Sequence, residues 1–198
     1  MPAAFVPVTL TGRHVVLEPL TMAHHDGLAA AGADPVISRW FPKPVHGDGA
    51  MRAFIEESAQ MQAEGKALPF AIRTRKDGAL VGSTRFANYE AAHKRVEIGW
   101  TWINPSVQRS AVNTECKWLL MKHAFEALGL NRVELKTDSL NTQSRAAIAR
   151  IGGVQEGIFR QHMVVQGGRL RDTVYFSIIR PDWPAVKSKL EAMLERNR

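Results

Sequence analysis

Arg95-Val96-Glu97-Ile98-Gly99-Trp100-Thr101-Trp102-Ile103 runs directly into Asn104-Pro105-Ser106-Val107-Gln108-Arg109-Ser110-Ala111-Val112-Asn113. In the first half Val96, Ile98, Trp100 and Trp102 alternate with Glu97, Gly99 and Thr101, which predicts a strand with one apolar side. Past the loop the period changes. From Asn113 to Leu128 the apolar positions Cys116, Leu119, Leu120, Ala124 and Leu128 follow a helix, and Gly129 ends it. Val133–Thr137 then reads as a second strand. Strand, helix and strand in this order imply one parallel crossover, because a parallel neighbour cannot be reached by a hairpin.

Working outward, Asn141–Ile151 is another helical segment, closed by Gly152-Gly153. Phe159–Val165 and Leu170–Ile179 form a hairpin turning at Gln166-Gly167-Gly168, and Asp182 can start a C-terminal helix. Upstream, Pro69–Arg75 and Leu80–Tyr89 are joined by Lys76-Asp77-Gly78, a hairpin turn. Leu10–Leu20 reads as a strand, Thr21 caps a helix through Ala31, and Asp48 caps a second one ended by Gly65. Between those helices Trp40 and Phe41 are read as plugs for the core rather than as a substrate loop. The expected fold is a single α/β domain over 1–198, with its core about 9–183 and a C-terminal helix about 184–196. Its sheet is mixed and mostly antiparallel, with helices on both faces.

The chain has 198 residues with 45% hydrophobic and 23% charged, ordinary for a globular protein. One cysteine, Cys116, excludes an internal disulfide framework, and its helical position assigns it to the core. The seven histidines show no paired metal-ligand spacing, so no metal is expected. Met1–Leu10 lacks a signal-peptide pattern and no apolar stretch is long enough to span a bilayer, which leaves a cytoplasmic protein without a membrane partner as the expectation. A net charge of +7 favours an acidic partner. Nucleic acid, an anionic membrane and a small polyanion such as a phosphorylated cofactor are the candidates; acidic residues interleave the basic ones, as in Arg132-Val133-Glu134-Leu135-Lys136, which argues against a dedicated nucleic-acid arm.

Asn104–Asn113 is the stretch that suits a phosphate. The loop leads from a strand into a helix whose first turn presents unpaired N–H groups and a positive dipole end. Ser110 and Ala111 are small, and Asn113 can cap the helix. An ordinary capped loop would look the same.

Val96-Glu97-Ile98-Gly99-Trp100, Asn113-Thr114-Glu115-Cys116-Lys117 and Asn141-Thr142-Gln143-Ser144-Arg145-Ala146-Ala147-Ile148 together resemble the GNAT superfamily of N-acetyltransferases. Within it the RimJ/RimL type is the nearest pattern. The resemblance covers Thr9 to about Trp183 and is strongest from Arg95 to Gly153. It implies transfer of an acetyl group from acetyl-CoA to a primary amine, by direct attack in a ternary complex. The acceptor would be a protein N-terminus or a small-molecule amine.

The family's pyrophosphate loop, Gln/Arg-x-x-Gly-x-Gly/Ala, starts here at Gln108 and places Ala111 and Asn113 at its small-residue positions. Both glycines are absent. The implied acyl-CoA contacts are Trp102, Ile103, Gln108, Arg109, Ser110, Ala111, Val112, Asn113, Asn141 and Ser144. Arg145 and Arg150 are further candidates for phosphate contact. A backbone N–H near Trp102 or Ile103 would serve the oxyanion, and Asn141 is also an evident helix cap. Glu97 matches the RimL-type carboxylate proposed to accept the amine proton, often through water; a strand carboxylate that binds substrate or a neighbouring Arg is the alternative. The usual tyrosine acid is replaced by Ile148, and Ser144 is the alternative. Tyr89 and Tyr175 lie on other elements. The missing glycines and tyrosine leave a non-catalytic acyl-CoA-binding module as one alternative, and another acyl donor such as succinyl-CoA as a second. Family habit adds a homodimer.

Overall fold

Residues 4–196 are described in a computed structural model, so the two ends of the expected 1–198 span lie outside it. The strands are β1 (Leu10–Thr11), β2 (Val15–Pro19), β3 (Leu68–Thr74), β4 (Leu80–Glu90), β5 (Arg95–Ile103), β6 (Arg132–Asp138), β7 (Val154–Val164) and β8 (Leu170–Ile179). The helices are α1 (His25–Ala31), α2 (Ala50–Ala63), α3 (Ala111–Lys122), α4 (Thr142–Arg150) and α5 (Trp183–Glu195). A π-helical turn, His123–Ala127, extends α3.

All eight strands join one sheet in the order β1-β2-β3-β4-β5-β6-β8-β7. Only β5 and β6 pair in parallel among the described residues, as the intervening helix requires. The β3–β4 hairpin turns at Gly78, whose φ of 75° needs a residue without Cβ. Asp77 holds that turn by accepting from the Thr74 hydroxyl and the Ala79 N–H. Strand β7 begins earlier than its apolar pattern suggests, because Val154 to Ile158 already pair with β8.

Two cores sandwich the sheet. Val96, Ile98, Cys116, Leu120, Val133 and Leu190 belong to the larger, beneath α3 and α5. Leu28, Phe54, Ile55 and Trp102 belong to the smaller, beneath α1 and α2. Helices therefore cover both faces, as expected. Asp48 does not cap α2; Gly49 occupies that position in a left-handed conformation, without a side-chain cap. Thr21 precedes a 3₁₀ turn, Met22–His24, that leads into α1.

The simple alternation read for β5 fails at its middle. Ser83 pairs with Trp102 while Arg85 pairs with Gly99, so β5 carries one extra residue against β4. Trp100, at φ 48°, sits at this bulge. An extra residue shifts the phase of everything after it. Trp100 and Trp102 thus join the smaller core, while Ile103 joins the larger.

A buried carboxylate ties α3 to the first strands. Glu115 accepts from the backbone N–H groups of Arg13, His14 and Val15 at 2.8, 2.6 and 2.7 Å. A Cβ on Gly12 would collide with this carboxyl group.

Candidate functional site

The parallel ladder between β5 and β6 is short. It pairs Arg95, Val96 and Glu97 with Arg132, Val133 and Glu134, and no pairing continues although β5 runs on to Ile103 and β6 to Asp138. The strands part beyond Glu97, leaving backbone groups without a ladder partner in a gap at the middle of the sheet. On the far side of β5, Gly82 opposes Ile103 and Asn104 N–H donates to Val81 O at 2.7 Å. By the alternation of an antiparallel ladder, the Ile103 N–H therefore turns away from β4, toward the gap. Gly82 is required here, since a Cβ would overlap the Trp102 carbonyl oxygen.

At one end of the gap lies the loop before α3. Asn104 accepts from Ser106 N–H and donates to Ala31 O at 2.8 Å, fixing the start of the loop. Gln108 donates to Ile103 O and accepts from Gln143 on α4, both at 3.2 Å, so it bridges the elements flanking the gap. Ser110, not Asn113, is the N-cap: its hydroxyl accepts from Val112 N–H at 3.3 Å and donates to Val107 O at 2.6 Å. Ala111 and Asn113 lie inside the first helical turn and need no left-handed backbone. The residue that does is Arg109, at φ 60°. The absence of glycine at Ala111 and Asn113 therefore brings no backbone strain at those two positions. Asn113 Oδ1 is buried without a hydrogen-bond partner. These features fit a pyrophosphate cradle: a helix N-terminus, small residues in front of it, and a polar atom left unsatisfied.

Across the gap, Asn141 caps α4 by accepting from Ser144 N–H at 3.0 Å. The Ser144 side chain is half-buried one turn into the helix. Arg145 donates to Ser139 O and Gln155, and Arg150 to Thr114 on α3. Both arginines expected at phosphate thus have partners within the protein. Ile148 is buried, in keeping with a packing role.

At the other end of the gap Glu97 is 4% exposed. It accepts from Asn88 Nδ2 at 2.7 Å and pairs with Lys136 Nζ at 2.7 Å. Burial pulls the Lys136 ammonium down, but the charge and hydrogen bond of Glu97, aided by Tyr175, outweigh it and its pKa is raised. Lys136 Nζ lies 4.7 Å from the centre of the Tyr175 ring, which also packs on Phe159 and His162. Asn88, Lys136 and Tyr175 line a cavity of about 490 Å³ together with Glu90, Arg95, Arg132, Glu134, Glu156 and Phe159. Arg171 is buried nearby with its Nε unpartnered, its pKa lowered by desolvation against the charges of Asp138 and Glu97. The sequence singled out none of Asn88, Lys136, Tyr175 or Arg171 as site residues. Their signal was the polar phase of β6 and β8, at Lys136 and Tyr175, but nothing in the sequence pairs those strands.

Trp40 does not plug the core. It is half-buried, with the guanidinium groups of Arg39 and Arg169 at 5.0 and 5.7 Å from its ring. Phe41 packs against the smaller core. Gln166, at the tip of the β7–β8 hairpin, donates to Ser38 O and Phe41 O at 2.9 and 2.8 Å and pins this loop over the sheet. Cys116 is fully buried, which pushes its thiol up to about 12 and leaves it protonated. No group of three or more potential metal ligands occurs among the described residues. No described helix is long and apolar enough to cross a membrane.

The sheet thus parts at the one parallel pair among the described residues, with a helix N-terminus at one end of the gap and a buried carboxylate at the other. The chain belongs to the GNAT acetyltransferase family: residues 14–154 match the Acetyltransferase (GNAT) domain. It is similar to a GCN5-related N-acetyltransferase from Brucella melitensis, at 33% identity and TM-score 0.88, over 95% of this chain and 86% of that one. It is also 34% identical over 111 residues to YdaF of Bacillus subtilis (strain 168), provisionally named a ribosomal N-acetyltransferase. That match spans 56% of this chain and 60% of YdaF, less than two thirds of its length. Mycobacterium smegmatis RimJ, solved in complex with CoA-disulfide, shares the fold at TM-score 0.82 and 24% identity, over 96% of each chain. These relatives agree with the RimJ/RimL pattern read from the sequence.

Proposed function

We propose that this chain is an N-acetyltransferase that uses acetyl-CoA and carries the acetyl group to a primary amine held beside Glu97. The parting of β5 from β6 between the α3 N-terminus and Glu97 carries this reading. A pantetheine arm lying along β5 would meet the free edge of the strand, with its pyrophosphate at Arg109–Asn113 and its flank at Asn141 and Ser144. Mycobacterium smegmatis RimJ, which shares this fold, was solved in complex with CoA-disulfide, which supports a coenzyme A ligand for this fold.

In the reaction the amine nitrogen attacks the thioester carbonyl carbon. A C–N bond forms, the C–S bond breaks, and the sulfur leaves with the electron pair and takes up a proton. The Ile103 N–H, facing the gap, is the donor for the developing oxyanion; Trp102 contributes its place on the strand rather than its N–H. Glu97 takes the proton that the amine loses, directly or through water. Lys136 and Asn88 hold its carboxylate in one orientation. Ser144 is the candidate for returning a proton to sulfur. One sheet built from both ends of the chain supports a single catalytic domain. The ribosomal assignment of YdaF makes a protein N-terminus the first acceptor to try.

Calorimetric titration with acetyl-CoA is expected to give one site per chain. Thermal melts should show stabilisation, about 2.7 kcal/mol at a hundredfold excess over the dissociation constant. A mass-spectrometric screen of N-terminal peptides and small amines, with acetyl- and succinyl-CoA in parallel, then identifies acceptor and acyl group. Silence in both calorimetry and melts at millimolar acetyl-CoA overturns the reading. Sedimentation at micromolar protein tests the homodimer.

A further inference from the structure

We infer that Lys117 is a positioning residue that locks the β5 bulge through Thr101, and so decides which backbone N–H of β5 faces the reacting carbonyl. The inference rests on the acetyltransferase reading above and adds a residue to it. Lys117 is 6% exposed in α3. Its Nζ donates to Thr101 Oγ1 at 2.7 Å, and Thr101 Oγ1 shares a second hydrogen bond with Thr84 Oγ1, at 2.8 Å. Among the described residues no carboxylate pairs with this ammonium; Glu115, two residues away in the same helix, is spent on three backbone N–H groups. An ammonium buried without a counter-charge costs stability. The fold nevertheless keeps one here, directed at the one residue that follows the left-handed Trp100.

The location gives the cost a purpose. One extra residue in a strand reverses the direction of every later side chain and N–H group. Were the bulge to slip, Trp102 and not Ile103 would aim its N–H into the gap, and its indole would leave the smaller core. Thr84 secures Thr101 from β4 and Lys117 secures it from α3, so the phase of the strand is fixed from two elements. Burial pushes the Lys117 amine down to about 8. The titratable group that acts on it is Cys116, whose thiol is neutral at working pH.

The test uses the full chain with acetyl-CoA and an acceptor found in the screen. Lys117→Met keeps the apolar stem and removes the ammonium. It should lower kcat roughly ten- to hundredfold while KM for acetyl-CoA stays within about twofold, because the donor is misaimed and the cradle is intact. Its melting temperature should hold or rise, since an apolar isostere replaces an unpaired buried charge. Thr101→Val should lose kcat to the same extent, Thr101→Ser should keep it, and Lys117→Met/Thr101→Val should be no worse than either single variant. Wild-type kcat in Lys117→Met, losses that multiply in the double variant, or a loss confined to KM overturns the inference. Should wild type itself fail to bind acetyl-CoA, the acetyltransferase reading fails instead, and the two failures are told apart by that control.

Discussion

Glu97 is held by two donors from different strands, Asn88 on β4 and Lys136 on β6, and this shapes what its replacement does. Glu97→Gln removes the proposed proton acceptor and also takes from the Lys136 ammonium, with its side chain 19% exposed, its carboxylate partner. We expect kcat to fall on the order of a hundredfold, the usual cost of losing a general base. Stability should fall by about 2–3 kcal/mol, because one half of a buried pair is stranded. Glu97→Gln/Lys136→Met should recover most of the stability in a urea melt and none of the turnover. Binding of acetyl-CoA should stay near wild type in both. A folded Glu97→Gln protein with wild-type turnover at neutral pH removes the base assignment.

At the scale of elements, the loop before α3 is the site's most testable part. Ala111 opens the helix in ordinary helical conformation, so glycine there supplies no needed freedom; Ala111→Gly should bind acetyl-CoA about as well as wild type. Ala111→Asp puts a carboxylate where the pyrophosphate is expected. It should abolish binding with little change in stability, since an acid suits a helix N-terminus. Unchanged affinity in a folded Ala111→Asp protein takes the phosphate out of this loop. Arg109→Gly should be neutral to about 1 kcal/mol stabilising in the same melts, because the left-handed penalty of a side chain exceeds the entropy that glycine loses.

These elements show what the sequence made legible. The helical period of α3, the alternation of Val96 and Ile98, and the Gly78 turn are local signals, and each appears where it was read. The bulge was not legible, because nothing about Trp100 announces a positive φ; the phase error that follows misplaced Trp100 and Trp102. The N-cap was misjudged by three residues, since Ser110 and Asn113 are equally good caps in isolation. Glu97 stood out through its strand and its family pattern. Its partners did not: Asn88, Lys136 and Tyr175 meet on three strands whose adjacency is a property of the whole sheet.

For the whole molecule, buried and paired charges set how stability varies with pH, and the two sides of neutrality have opposite causes. Below neutrality, the Arg132 guanidinium holds Glu156 down to about 2 across the β6 and β7 strands, and Arg73 lowers Glu18 between β2 and β3. A depressed carboxylate stabilises the fold above its unfolded value and loses that contribution as pH falls toward its folded one. Acid should therefore erode stability from about 4.5 down to about 2, and Glu156→Gln should flatten that fall. Above neutrality Lys117 acts the other way. Its amine falls from 10.5 to about 8 on folding, so below pH 8 the native state carries a charge the unfolded chain holds more easily. The unfolded state binds more protons between the two values, and stability from this group rises with pH across that window. The full difference corresponds to about 3 kcal/mol at 1.36 kcal/mol per pKa unit. Lys117→Met has no such proton, so its stability advantage in urea melts should be largest near pH 7 and shrink steadily toward pH 10. An advantage that stays level across that range would mean that the amine is not a strained cation in the native fold.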